Sequence, residues 1–279
     1  MNKRISLHRK NSLTLRFLYH TIIGRLILKL IILPINSKII GKVLDAKLST
    51  VLIPLFIKKY QINMYDYQPV EYQSFNEFFI REKLNHEFNT NKKYLIAPAD
   101  AKLSVYKINN HATFKVKNNI YNLDLLLNNQ ELARDYQEGY CLIYRLDVND
   151  YHRYLFIDDG EQGDNISIPG KLHTVQPIAI TTVPVFTTNH RVYNLLNTKN
   201  FNQVIQIEVG ALMVGKINNY YEKHSFKRGD LKGEFKFGGS TIIQLFKKDT
   251  ITINKQILSN TNYNYETIVK IGEVVGEKK

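Results

Sequence analysis

The chain has one cysteine, Cys141, so it cannot build an intrachain disulfide framework, and it suits a reducing compartment. Its eight histidines are scattered and no Cys-x-x-Cys occurs, which leaves no zinc-site spacing and no expected metal. Tryptophan is absent, and nothing functional follows from that. Acidic residues are nearly missing from the first 60 positions, where Asp45 stands alone against twelve lysines and arginines. The other 219 residues carry twenty-six basic side chains against twenty-four acidic ones, so most of the formal charge of +13 sits in the head. A near-neutral body argues against nucleic acid read by the whole surface, whereas a basic head fits an anionic surface. No internal repeat or low-complexity linker divides the chain.

A long uncharged apolar run is also missing. Leu13 to Leu33 is strongly apolar, but Arg16, His20, Arg25 and Lys29 interrupt it every four or five residues. A membrane-crossing helix needs about twenty residues with few or no charges, and a cleaved signal peptide needs an unbroken apolar run with a small-residue cleavage site. At helical pitch the four basic residues form one stripe, which predicts a helix lying in a membrane interface and ended by Pro34. A second apolar segment, Ile39 to Ile57, carries Lys42, Lys47, Lys58 and Lys59 and is expected to be interrupted by Pro54. Met1 to Lys10 is expected to be loose.

What the sequence does contain, beyond residue 60, is mostly short β-type runs. Ser74 with Glu77 three positions on is a capping-box pattern that predicts a short helix with Phe75, Phe78 and Phe79 on one face. Strands are predicted at 102–108, 113–116, 140–146, 154–157, 170–175, 204–209 and 212–217, punctuated by Asn, Gly, Asp and Pro, with a helix over 122–132 capped by Asn122. The fold class is therefore α+β: a mainly antiparallel β core over 61–279 and N-terminal amphipathic, membrane-associated helices over 1–60.

The most informative stretch runs from Lys232 to Phe246. Two strands, Glu234–Phe237 and Thr241–Phe246, meet at Gly238-Gly239-Ser240, where paired glycines permit a strained turn. A hydrolase elbow is excluded because Gly-x-Ser-x-Gly would need glycine where Ile242 stands. A glycyl carbonyl beside a serine hydroxyl can instead undergo an N→O acyl shift, and β-elimination of the ester leaves a chain that begins with a keto acid.

This stretch resembles the carboxyl-terminal signature of the phosphatidylserine decarboxylase family. Other blocks agree in family order: Phe75-x-x-Phe78-Phe79-x-Arg81; Pro98-Ala99-Asp100-Ala101, similar to a Pro-x-Asp-Gly element; Asp150-Tyr151-His152-Arg153; Asn189-His190-Arg191; and Glu208 to Ile217. The resemblance implies self-cleavage between Gly239 and Ser240, giving a β chain 1–239 and an α chain 240–279 that begins with a pyruvoyl group made from Ser240. It implies decarboxylation of phosphatidylserine to phosphatidylethanolamine, with His152 as acid/base and Asp100 as the aspartate that supports it. Arg153 and His173 are auxiliary candidates. The family's second histidine is replaced by Leu155, so the base that activates Ser240 is left open between His152 and His173. The expected partners are phosphatidylserine and an anionic membrane surface, with no nucleic acid and with a homodimer of processed units allowed. The expected location is the cytoplasmic side of the cell membrane, held peripherally. Two alternatives stay open: an unprocessed, inactive relative that binds lipid or a partner, and a pyruvoyl decarboxylase of a soluble amino acid.

Overall fold

The computed structural model describes residues 3–7, 12–117, 119–212, 216–238 and 240–279. Its centre is a ten-stranded antiparallel sheet. From one edge inward the order is Arg4–Ser6, Tyr265–Val269, Ala101–Lys107, Tyr140–Leu146 and Ser240–Phe246. It continues through Gln203–Val209, Arg191–Thr198, Gly160–Gln162 and His224–Phe226, with Ile166–Ile168 pairing beside Arg191–Thr198. The innermost strands bury side chains on both faces because both faces are covered, as side chains alternate across a pleated sheet. Ile242 and Phe246 enter one core with Leu142, Tyr144 and Leu146. Ile243 and Leu245 enter the other with Cys141, Ile143, Ile205 and Ile207.

Smaller sheets surround this one. Ile217–Asn219, Leu231–Phe235 and Arg153–Leu155 form a three-stranded sheet that lies against the first core, and it is this sheet that carries the chain into the Gly238 bend. Gly233 is required there, since a Cβ would stand 2.5 Å from the Asn218 carbonyl oxygen and 2.6 Å from the Tyr154 hydroxyl. Ile251–Ile253, Val274–Lys278 and Tyr94–Ile96 form another sheet, and Thr113–Val116 pairs with Asn119–Asn122.

The head differs from its sequence reading in three ways. Arg4–Ser6 is an edge strand of the main sheet, not a loose end; residues 1–2 and 8–11 lie outside the described set. The expected helix over 13–33 is two helices, Leu13–His20 and Ile22–Ile31, because Thr21 takes an extended conformation and its hydroxyl accepts from the Gly24 N–H at 2.9 Å. The four-residue basic stripe is thus split between two axes. Pro34 begins the helix Pro34–Asp45, where proline at the first position loses no hydrogen bond, and Pro54 sits in the first turn of Leu52–Tyr60 for the same reason.

Elsewhere Ser74 caps Phe75–Phe79 through the Glu77 N–H at 3.1 Å, and Asn122 caps Leu123–Leu127. The 122–132 helix is two pieces, because Asn128 turns left-handed and Asn129 caps Gln130–Arg134. Residues 170–175 form no strand. Only a bridge from Lys171 to Asn189 remains, and the backbone of His173 is held by the Asn189 side chain instead of a neighbouring strand. Of the expected strand at 212–217 only Ile217 lies in a strand, Ile217–Asn219; Leu212 is in a turn, and residues 213–215 lie outside the described set.

The head is packed on the body. Leu18, Tyr19, Leu28 and Ile32 are buried in the second core with Val175, Ile178 and Phe186. Leu44, Phe56 and Ile57 close over Phe75, Phe78 and Phe79 in a third cluster. Leu28→Ala should therefore cost about 2–5 kcal/mol in urea unfolding, the usual range for a buried leucine. Leu26, 57% exposed on the same helix, should change stability by no more than about 0.5 kcal/mol when truncated to alanine. Equal, negligible effects of both substitutions would mean that the head is not docked.

Candidate active site

Ser240 begins the central strand, and its partner across the ladder is Leu146, the last residue of Tyr140–Leu146. From Leu146 the chain passes through the turn 147–150 to His152. The register of two strands thus delivers serine and histidine to the same end of the sheet. Immediately before, Gly238 has φ +130°, a conformation that a side chain strongly disfavours. Gly239, the other half of the expected cleavage site, lies outside the described residues.

Ser240 is fully buried and its Oγ has no hydrogen-bond partner among the described residues. His152 is also fully buried. Its Nδ1 lies 2.8 Å from the Asp150 carbonyl oxygen, which can only accept, so Nδ1 carries the proton. Nε2 then bears the lone pair of a neutral ring and has no well-formed hydrogen bond among the described residues. The Gly238 backbone adjoins this ring. Burial pushes the imidazole pKa down to about 3; the Asp150 and Gly238 backbones oppose the shift, and Arg81 and Lys102 add to it. The Phe79 ring covers the imidazole at 4.2 Å between centroids.

The histidine loop is held by charge. Lys102 Nζ lies 2.5 Å from Asp150 Oδ2 and 3.2 Å from Asp147 Oδ2. Arg145 reaches Asp147 at 2.5 Å and makes a two-pronged contact with Glu266 at 2.8 and 2.6 Å. Burial raises the Asp147 carboxyl, but Arg145 and Lys102 more than offset this and bring it to about 2. The Asp150 carboxyl is shifted upward by its burial, against the pull of Lys102.

Asp100 is placed differently from what the resemblance implies. Its carboxylate takes the Ile271 N–H at 2.9 Å and pairs with Lys83 at 3.2 Å and Lys270 at 3.3 Å. Burial raises its pKa, yet Lys83, Lys270 and that N–H hold it below the ordinary value. No hydrogen bond joins Asp100 to His152 among the described residues. The 97–102 stretch instead reaches the histidine loop through Lys102, which the sequence reading did not single out. A lysine two positions after the aspartate, in a strand beside 140–146, was the available signal.

His173 faces Tyr19, with Nδ1 3.3 Å from the tyrosine hydroxyl, and burial lowers its pKa to about 4 with help from Lys171. Arg153 donates to the Ile80 carbonyl at 2.8 Å and pairs with Glu82 at 3.3 Å and Glu234 at 3.8 Å, so its guanidinium joins segments of the body. Leu155 is fully buried in the first core, its N–H donating to the Pro98 carbonyl at 3.0 Å. The position of the family's second histidine is thus apolar in this chain.

One further group lies on the Ser240 face and was missed as a unit. Lys232 and Glu208, both fully buried, are 2.9 Å apart. Lys232 also donates to Asn194 and Asn219 at 2.8 Å, and Glu208 accepts from Gln206, which accepts in turn from Gln244. Burial lowers the Lys232 pKa, and Glu208 acts against the shift. The alternation of Gln206, Glu208 and Gln244 with isoleucines in central strands was the sequence signal for a buried polar layer.

Comparison with known proteins identifies the family. The family model described as phosphatidylserine decarboxylase matches residues 75–277. Phosphatidylserine decarboxylase proenzyme 2 of Clostridium acetobutylicum is 48% identical over 266 residues, which is 94% of this chain and 91% of the relative. The phosphatidylserine decarboxylase proenzymes of Clostridium botulinum and Clostridium novyi are 42% and 40% identical, each covering 95% of this chain and 92% of their own length. Matches of this identity and coverage extend through the head as well as the sheet, and the chain belongs to the phosphatidylserine decarboxylase family.

Proposed function

We propose that this chain is a self-processing phosphatidylserine decarboxylase that converts phosphatidylserine to phosphatidylethanolamine and carbon dioxide at a membrane surface. The observation that carries the reading is the pair of buried, unpartnered atoms, Ser240 Oγ and His152 Nε2, at the Gly238 bend. Buried polar atoms are nearly always bonded, and an exception calls for an explanation, of which a catalytic role is one. Both are suited to the proton transfer from serine to imidazole that self-processing requires.

A neutral imidazole with a free Nε2 can take the serine proton as Oγ attacks the Gly239 carbonyl carbon. The imidazolium so formed is disfavoured by burial and returns its proton readily to the departing nitrogen of residue 240. The amide thereby becomes an ester. Loss of the α-proton of residue 240 then breaks its Cβ–Oγ bond and leaves Gly239 as a carboxylate. Water replaces the nitrogen at position 240, which departs as ammonia, and a pyruvoyl group remains at the head of 240–279. When formed, that group would supply an electron sink for loss of carbon dioxide from an amino-acid head group. The orphaned Ser240 hydroxyl, fully buried and so shielded from water, fits such a group. His152 remains in place to move a proton at the reacting centre. Leu155 keeps the second histidine's place dry, so one imidazole serves both stages, and Asp100 acts on the site through the packing of its own loop.

The head is the proposed membrane contact. Ile22, Ile23, Leu26, Leu30, Ile35, Ile39, Val43, Leu48, Val51 and Leu55 are all more than half exposed, beside the exposed side chains of Arg25, Lys29, Lys38, Lys42 and Lys47. Apolar residues ringed by cations suit an anionic leaflet, where each cation adds roughly 1 kcal/mol. Among the described residues no helix is long and apolar enough to cross a membrane. The division near residue 60 is then one of role, because the head shares its cores with the body. Peripheral attachment at the cytoplasmic face of the cell membrane, with processed units able to pair, completes the reading.

Purified protein should release carbon dioxide from phosphatidylserine, and Ser240→Ala should do so no longer; activity in that variant would refute the pyruvoyl route. His152→Ala should slow self-cleavage by about 10²- to 10⁴-fold, the usual range for a general acid/base, whereas His173→Ala should leave cleavage close to the wild-type rate. Because burial places the His152 pKa at about 3, the cleavage rate should stay flat from about pH 8 to pH 5, without the inflection near 6.5 of an ordinary imidazole. The same shift has a stability consequence. His152 and His173 stay neutral in the fold while the unfolded chain takes up protons below about pH 6.5. Stability is therefore full above that pH and is lost as pH falls toward 4 and then 3. Ile23→Asp with Leu30→Asp should weaken binding to phosphatidylserine-containing vesicles while leaving the melting curve in place. Unchanged vesicle binding would put the membrane contact elsewhere.

A further inference from the structure

Beside the candidate active site, between the helix Pro34–Asp45 and the segment Lys236–Phe237, lies a cavity of about 410 Å³. Its lining holds four lysines, Lys38, Lys42, Lys216 and Lys236, against one carboxylate, Asp45. Asp45 is already engaged, accepting from Asn76 Nδ2 at 2.9 Å and standing 3.8 Å from Lys236. Among the described residues no carboxylate pairs with Lys38, Lys42 or Lys216. Like charges gathered around one hollow repel one another, and an anion in the hollow removes that cost.

Ser37 supplies a second, independent observation. It lines the same cavity, is 4% exposed, and its Oγ has no hydrogen-bond partner. A buried hydroxyl without a partner is costly, and here it is placed to donate to whatever the lysines attract. Lysine ammoniums and a hydroxyl around a small hollow are a donor set for phosphate oxygens.

The surroundings say which phosphate. On the same helix Ile35, Ile39 and Val43 follow at four-residue spacing and are 58%, 55% and 62% exposed, so an apolar strip runs beside the cationic cavity. A charged group attached to hydrocarbon matches that pairing; a free phosphate matches only half of it. The inner wall leads to the chemistry. Phe237 lines the cavity, and its ring packs 5.0 Å from Phe79, whose ring in turn covers His152 at 4.2 Å. Lys236 and Phe237 lead into the Gly239–Ser240 bond. Cutting that bond turns them from a link between strands into the end of a chain and frees the aromatic wall to move.

We infer that this cavity binds the phosphodiester of a glycerophospholipid, held by Lys38, Lys42, Lys216, Lys236 and the Ser37 hydroxyl, with the acyl chains lying along Ile35, Ile39 and Val43. The inference rests on the reading under Proposed function, to which it adds the place where the lipid substrate is gripped. The distance from phosphate to reacting carbon is then spanned past Phe237.

The test measures binding, not turnover. Dihexanoyl phosphatidylglycerol, below its micelle concentration, shares the phosphodiester and short acyl chains but has no group to decarboxylate. By calorimetry it should bind the full-length protein at least about tenfold more tightly than glycerol 3-phosphate does. Lys42→Ala with Lys236→Ala should weaken it by about tenfold or more, and Lys42→Arg with Lys236→Arg should restore it because the charge returns. Ser37→Ala should weaken it without lowering the melting temperature, and Lys255→Ala, exposed and remote on Lys255–Asn262, should bind as wild type. Undiminished binding by the double alanine variant would overturn the site, and glycerol 3-phosphate binding as tightly as the lipid would overturn the lipid assignment. If the wild-type chain binds the probe as described yet releases no carbon dioxide from phosphatidylserine, the activity reading fails and the site stands. If it decarboxylates while the double variant keeps both probe affinity and KM, the site fails and the activity stands.

Discussion

The ion cluster of Lys102, Arg145, Asp147, Asp150 and Glu266 is what the geometry of the site depends on. Its five side chains come from three neighbouring strands and the turn between Leu146 and His152; Lys102, Arg145 and Glu266 are buried and Asp147 and Asp150 largely so, at the sheet end where Ser240 begins. Removing one partner from such a cluster strands another charge in a dry place and costs about 3–5 kcal/mol, so the turn has one arrangement to adopt. Asp150 is the pivot. Its carboxylate is tied to Lys102, and its carbonyl holds His152 Nδ1, which fixes the tautomer and leaves Nε2 bare. The bare Nε2 beside the Gly238 bend is thus a consequence of an ion pair that does not touch the imidazole.

A second buried pair, Lys232 and Glu208, does comparable work on the other flank. Glu208 stands opposite Ile242, two positions along the strand from Ser240, and the amides of Asn194, Asn219 and Gln206 bond the charges. A fully buried pair is weak ground for stability, but with each group bonded it admits a single packing. It ties the strand that leads into the Gly238 bend to the strands that flank Ser240. The bend is therefore pinned on one side by Asp150 and His152 and on the other by Lys232, and Gly238, at φ +130°, supplies backbone freedom between them.

Much of this was legible in the chain itself. Strands over 113–116 and 140–146 fall where β-branched and aromatic runs predict them, and the Ser74 and Asn122 caps act as their side-chain chemistry requires. The glycine-serine bend and the Asp150–Arg153 block mark the site because each is local. What the sequence left hidden is long-range. Asp100 is claimed by Lys83 and Lys270, which lie 17 and 170 positions away, and no spacing rule points to either. Residues 170–175 look like a strand, but the Asn189 amide takes their backbone groups, a tertiary contact that overrides propensity. The head misled for a local reason: a run of apolar residues with regular cations suits one long helix, yet Thr21 prefers to cap the second helix and splits the run in two. Four lysines of one cavity come from positions 38, 42, 216 and 236, and only the fold could bring them together.

The account turns on Ser240 being converted by the chain's own chemistry, and the mass of the small fragment tests this most directly. Protein purified and denatured without added protease should give two chains, 1–239 and 240–279, with the smaller one lighter by one ammonia than the product of simple hydrolysis at that bond. Borohydride reduction should then add two hydrogens to it, as a ketone at its head requires. A single intact chain, or a small fragment with the mass of an ordinary serine terminus, would contradict the account.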